Sequence, residues 1–271
     1  METKQCVLIV IFYSLTFMLI PSLFAKNILI PIDSFPPFHI IPQNGDPPYG
    51  EVISILKAVV DKVNEENEWK IQVTFTKDTP FMRCLKMMKS GQADIIGGIL
   101  DKEDRKEYMH LLKYKQNSNK VFLQRKTDNN EIAKFEDLKG QTVGTILGYV
   151  YFKQFDIDPQ IIKDPVRNLV ISLNKLKLNR YNVVICTETE WITLQEKDPK
   201  FASNFKETVY KYEKANPVYL GISKRSWLSQ RKYIDAFRQT VDKMLSQKEF
   251  TKIISDFYEK NSDRSTIKGV F

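Results

Sequence analysis

Residues 71–98 run IQVTFTKDTPFMRCLKMMKSGQADIIGG. Ile71 to Phe75 alternates apolar and polar side chains, the two-residue period of a half-buried strand. Phe81 to Ser90 reads as a helix stopped at Gly91, and Ala93-Asp94-Ile95-Ile96 reads as the next strand. Upstream, residues 27–32, NILIPI, form a strand that breaks at Asp33-Ser34-Phe35-Pro36-Pro37-Phe38. Those prolines, then Asn44-Gly45 and Pro47-Pro48, force a loop. In residues 51–64, Val52, Ile55, Leu56, Val59, Val60 and Val63 make one helical stripe. Strand, helix, strand, helix, strand is the order of an open α/β sheet with crossover connections.

The pattern restarts after about residue 117. Residues 135–140 are a turn, and Thr142-Val143-Gly144 is a strand leading to Gly148 and a short helix. Residues 166–179 carry Leu169, Val170, Leu173 and Leu176 at helical spacing. A buried strand at 182–186 and a helix at 188–196 follow, then extended segments at 209–212 and 218–223 around Asn216-Pro217. Two helices close the chain, marked by Ala236, Phe237, Val241 and Leu245 and by Ile253, Ile254, Phe257 and Tyr258, ahead of a loosely held tail at 261–271. Two similar α/β units joined by two short crossings imply a hinged cleft, because ligands of open α/β sheets sit in the crevice beyond the strands' carboxyl ends.

Composition agrees with a folded chain: 271 residues, 42% hydrophobic and 27% charged. The net charge of +8 is spread along the chain, with no stripe of basic residues interleaved with aromatics, so no nucleic-acid partner is expected. Two histidines and three cysteines exclude a disulfide-dense scaffold and most zinc sites; neither a metal nor a cofactor is expected. Glu107 and His110 have Glu-x-x-His spacing, but two ligands do not make a metal site. Residues 6–24, CVLIVIFYSLTFMLIPSLF, follow Lys4 without a charge and end near Ala25, which reads as a secretory signal at 1–25 cleaved after Ala25. An uncleaved anchor is the alternative, disfavoured by Pro21. The mature chain is then a secreted protein, expected to be a monomer. Cys84 and Cys186 are expected as two buried free thiols in different lobes.

Four ordered segments resemble the family-3 extracellular solute-binding proteins, the periplasmic amino-acid receptors of ABC importers. They are residues 33–38, Tyr49-Gly50-Glu51, residues 85–98 with Arg105 after them, and residues 135–144. The resemblance spans nearly all of residues 27–260. It implies the α/β, two-lobed type II fold of two open sheets. Lobe one would be 26–116 plus 221–271 and lobe two 117–220, with crossings near 114–120 and 216–222. It also implies capture of a small-molecule ligand by hinge closure and presentation to an ABC permease in the inner membrane.

The same resemblance assigns a site residue by residue. Arg105 falls where the family holds the ligand's α-carboxylate, a task that suits a planar fork of donors. Phe35 matches an aromatic lid and Phe81 a ring facing it, with Arg83 nearby as a second cation. Gly97 and Gly98 replace residues that offer hydroxyls, and keep the backbone amides. Tyr149 and Val150 follow Gly148 where relatives carry small hydroxyl residues. Thr187 stands at the family's acidic position for the ligand's ammonium, with Glu188 one place later. Either Glu188 substitutes by a local shift or the ligand is not an ordinary α-amino acid. A small polar, carboxylate-bearing, amino-acid-like ligand is expected, and no catalysis. The alternatives are a dehydratase-like enzyme on the same fold, with His39, Glu51 and Glu188 as sparse candidates, and a ligand-sensing module.

Overall fold

The computed structural model of the protein describes residues 25–262, apart from residues 117 and 215. The expected signal segment, save Ala25, and most of the expected tail lie outside these residues. The first part of the chain holds β1 (Lys26–Ile30), α1 (Glu51–Asn67), β2 (Ile71–Phe75), α2 (Phe81–Ser90), β3 (Ile95–Leu100), α3 (Glu103–Tyr108) and β4 (Met109–Gln116). The middle holds β5 (Lys120–Arg125), β6 (Thr142–Ile146), α4 (Lys153–Ile157), β7 (Ile162–Val166), α5 (Leu169–Lys177), β8 (Val183–Thr187), α6 (Glu188–Lys197), α7 (Pro199–Ala202) and β9 (Phe205–Tyr212). The chain closes with β10 (Pro217–Ser223), α8 (Arg231–Ser246) and α9 (Glu249–Ser262).

Strands β1 and β2 pair in parallel, with α1 as their crossover. Asp94 carries this pair to the next sheet: its backbone N–H donates to Leu29 O at 2.9 Å, and its carboxylate accepts from Leu29 N at 2.8 Å. That sheet has the order β3-β10-β4, antiparallel throughout. The predicted stripe of α1 is buried along its length against Ile28, Ile30, Phe237 and Val241. Each such aliphatic side chain contributes about 1.5–3 kcal/mol when fully buried, so α1 is held by its face rather than its ends. Because β10 pairs with β4 from Pro217 onward, the returning crossing is complete by that residue.

Residues 120–212 form a second unit around a five-stranded sheet of order β7-β6-β8-β5-β9. The period of two divides its side chains between two cores. Val121, Leu123, Val184 and Cys186 pack with Leu173, Leu176 and Trp191 on one face. Phe122, Val143, Val183 and Ile185 pack with Phe135, Leu138 and Phe155 on the other. Cys84 and Cys186 are buried and unbonded, one in each unit. Among the described residues, no helix is long and apolar enough to cross a membrane.

Three strands differ from the sequence reading. β7 is missing from it because Lys163, Asp164 and Pro165 interrupt any apolar pattern; as an edge strand it tolerates the proline. β4 and β5 take up both ends of the segment expected to be a crossing, leaving only residues 117–119 between them. Glu107 ends up in α3 and His110 in β4, where His110 Nε2 meets Ser229 Oγ at 3.1 Å. The Glu-x-x-His spacing therefore lacks the single helix it would need.

Candidate functional site

A cleft of about 720 Å³, mouth included, lies between the two units. The loop after β1 supplies Asp33, Phe35 and His39 to its first wall. His39 Nδ1 lies 3.3 Å from Asp33 Oδ1, while its Nε2 is buried and makes no hydrogen bond among the described residues. Phe81 enters from the first residue of α2, and Gly97 and Gly98 from β3. A Cβ at Gly97 would collide with Val52 Cγ1 and stand 3.2 Å from Leu56 Cδ1, so α1 leaves no room for a side chain there. Gly98 has φ +72°, which glycine takes without strain. Tyr114 from β4 is fully buried and directs its hydroxyl at the Gly98 backbone without a hydrogen bond of good geometry.

Arg105 sits in α3 and is only 3% exposed. Its Nη1 donates to Leu100 O at 2.7 Å, and its Nη2 reaches across the cleft to Gly148 O at 2.8 Å. The guanidinium also stacks 5.7 Å from the Phe81 ring. Burial draws its pKa down, opposed by Tyr108 and Asp104 beside it. Two of its five donors are thus committed to carbonyls, one in each unit.

The opposite wall comes from the loop after β6 and from β5, β8 and α6. Gly148 has φ +84°, and a Cβ there would strike Met82 Sδ, so the loop approaches α2 closely only because the residue is glycine. Next to it, the Tyr149 ring packs edge-to-face on Phe35 at 5.4 Å and on Phe81 at 5.0 Å. The two rings expected to face a ligand therefore share a tyrosine from the other unit. Tyr151 is held behind it, its hydroxyl accepting from Ile146 N at 2.8 Å.

Thr187 caps α6 and builds a polar corner. Its hydroxyl accepts from Glu190 N at 3.1 Å and donates to Glu190 Oε2 at 2.8 Å, while Thr187 N donates to the same oxygen at 2.9 Å. This is the reciprocal capping box of a helix N-terminus. Glu190 is 6% exposed and lines the cleft, and burial raises its pKa to about 7 against the lowering effect of the Thr187 bonds. Lys120 is 1% exposed, lines the same wall, and has its pKa lowered to about 8 by burial.

Of the residues singled out from sequence, Phe35, Phe81, Gly97, Gly98, Arg105, Tyr149 and Thr187 come together around the cleft. Arg83 and Glu188 do not line it. Arg83 is exposed on α2. Glu188 turns aside, accepting from Asn119 Nδ2 at 2.9 Å with Lys211 at 3.7 Å. The acid that does face the cleft, Glu190, was missed, although Thr-x-x-Glu at 187–190 is a readable capping signal. Lys120 was missed too; a single lysine opening an apolar strand carries no signal of burial. Among the enzyme candidates, His39 faces the cleft, and Glu51 is occupied by the Lys115 ammonium and by Tyr258 OH at 3.0 Å. Among the described residues, no group of three metal-ligating side chains occurs.

Residues 29–260 match the family model described as bacterial extracellular solute-binding proteins, family 3. Solved structures share the fold at low identity. An arginine 3rd transport system periplasmic binding protein from Legionella pneumophila is 16% identical with a TM-score of 0.69, covering 86% of this chain and 100% of its own. The amino acid ABC transporter substrate-binding protein AbpA from Streptococcus pneumoniae, bound to L-arginine, is 17% identical at 0.68, covering 86% and 95%. An ancestral arginine-binding protein bound to arginine is 20% identical at 0.67, covering 87% and 97%. No curated protein matches the sequence.

Proposed function

The chain belongs to the bacterial extracellular solute-binding proteins, family 3, and from that premise we propose that it captures a small, polar, amino-acid-like solute by closing two lobes over it. The lobes, expected at 26–116 plus 221–271 and at 117–220, turn on the two chain crossings, with the return ahead of β10, whose pairing with β4 puts residues 217–223 in lobe one. The captured solute is handed to an ABC permease of the inner membrane, and the receptor is exported by its N-terminal leader. No bond is made or broken in the cleft.

The observation that carries this reading is a buried polar atom beside an aromatic cleft: His39 Nε2 has no hydrogen-bond partner among the described residues, and His39 lines the cleft together with Phe35, Phe81 and Tyr149. A buried polar group without a partner costs about 1–3 kcal/mol, which a ligand's hydrogen bond would offset. Aromatic walls with a few convergent polar groups are the usual make-up of a small-molecule site. The relatives in the comparison that bind arginine add the chemical class. A thermal-shift screen of amino acids, organic acids, polyamines and sugars tests it. Stabilisation that grows with ligand concentration is expected from an amino acid. If only sugars or polyamines stabilise the protein, the ligand class is wrong.

A further inference from the structure

We propose that Lys120 and Glu190 form the charge-reading pair of this cleft, so that the solute is a zwitterion whose carboxylate meets Lys120 and whose ammonium meets Glu190, with Arg105 serving as a latch between the lobes. The assignment rests on the solute-binding reading above and names the residues that select the ligand's charges.

Sheet register brings the two groups to one place. Lys120 stands directly opposite Thr187 in the antiparallel β5–β8 pair. Directly opposed residues project on the same face with Cβ atoms about 5 Å apart. The Glu190 carboxylate is clipped to Thr187 by two hydrogen bonds. Cation, hydroxyl and carboxylate therefore converge on one patch of the cleft wall.

Lys120 and Glu190 attract each other across this patch without closing on one another. Among the described residues, no carboxylate lies within 4 Å of Lys120, and the lysine and Glu190 do not form an ion pair with each other. Lys120 Nζ makes one hydrogen bond, to Ser118 O at 3.2 Å. Glu190 uses only Oε2 in the capping box, and its Oε1 has no hydrogen-bond donor among the described residues. A helix cap alone explains Oε2 but not an acid set into a cleft with its second oxygen spare. Burying a lone charge is costly, and a well-packed apolar side chain would serve stability better. A zwitterion entering the gap satisfies both groups in one step. Arg105 is not equivalent to them, because its guanidinium already joins Leu100 O in one lobe to Gly148 O in the other.

Titration offers a second handle on the same pair. Glu190 feels the charges of Lys120 on β5 and Asp33 on the loop after β1 besides its bonds to Thr187; Lys120 feels Glu190 on α6, Lys115 on β4 and Asp156 on α4, with the Cys186 thiol on the opposite face of β8. His39, Tyr149 and Tyr151 line the same cleft. A bound ammonium pulls the Glu190 pKa down and a bound carboxylate pushes the Lys120 pKa up. Complex formation then releases protons on the acid side of about 7 and takes them up near 8.

Calorimetry on the purified protein, with three probe sets, tests the pair. The sets are L-α-amino acids, the corresponding amines lacking the carboxylate, and the corresponding acids lacking the ammonium. Wild type is expected to bind an amino acid and to prefer it over both truncated analogues. Lys120→Met should weaken the amino acid about a hundredfold and erase the preference over the amine; Glu190→Gln should erase the preference over the acid. Arg105→Ala should weaken amino acid and amine by the same factor, as a latch requires. Proton exchange, measured on wild type in buffers of different ionisation enthalpy, should change sign between pH 6.5 and 8, a readout that needs no variant. An amino acid bound equally by wild type, Lys120→Met and Glu190→Gln overturns the pair while leaving the solute-binding reading intact, as does proton exchange of one sign throughout. Binding of none of the three sets overturns the amino-acid reading and the pair with it.

Discussion

Gly97 shows how one position ties the cleft to the core. Its missing side chain lets β3 press against Val52 and Leu56 of α1. Gly97→Ala should destabilise the protein by about 1–3 kcal/mol, read as a lower midpoint in urea at unchanged slope. Glu190 carries a pH signature of the same local kind. Its folded pKa of about 7 lies above the ordinary carboxylate value, so the folded state binds the extra proton between roughly pH 4.5 and 7. Stability therefore falls as pH rises through that window, by an amount on the order of 1–3 kcal/mol. Asp156, raised to about 6 by burial, pulls in the same direction. Glu190→Gln should flatten part of the slope in unfolding experiments between pH 5 and 8, leaving the Asp156 share. At this scale Arg105, Phe35 and Phe81 were named through the family resemblance, and all three line the cleft. It did not reach the partners of Arg105, because Leu100 O and Gly148 O are backbone carbonyls that every residue carries. Of the two alternatives left open at Thr187, a shift that brings Glu188 into the site is not what the fold shows: the first residue of α6 does not line the cleft, and the third, Glu190, does.

At the level of elements, caps decide where helices enter the site walls. Asn168 accepts from Ile171 N at 3.0 Å and starts α5, which packs under β6 and β8. Asn168→Ala should cost about 1 kcal/mol, visible in the unfolding midpoint. Elements with a strong internal period were legible: α1 shows its stripe in sequence and buries that stripe in the fold. Elements defined by neighbours were not. β7 gets its identity from pairing with β6, from Thr142 against Ile162 to Ile146 against Val166, and nothing in Ile162-Lys163-Asp164-Pro165-Val166 alone announces it. β4 and β5 were hidden for a related reason, since each takes its identity from strands distant in sequence, β4 from β10 and β5 from β8 and β9.

For the whole molecule, the two lobes meet through contacts of unequal weight. Arg167 pairs with Asp78 across the mouth at 2.6 Å, but both side chains are about half exposed. Exposed ion pairs contribute about 0–1 kcal/mol and are screened by salt. Arg167→Ala should leave the radius of gyration in small-angle scattering nearly unchanged. Tyr149→Ala removes ring contacts to both Phe35 and Phe81, and should shift the ensemble towards a larger radius.

The Tyr149 contacts also bear on the speed of capture. Under the proposed capture, a solute whose apolar part seats against Phe35 and Phe81 would take the place of the tyrosine ring, which would require the loop after β6 to swing away. Association then waits on a motion inside the protein. The observed rate should climb with solute concentration at first and level off at the opening rate, and Tyr149→Ala should lift that ceiling.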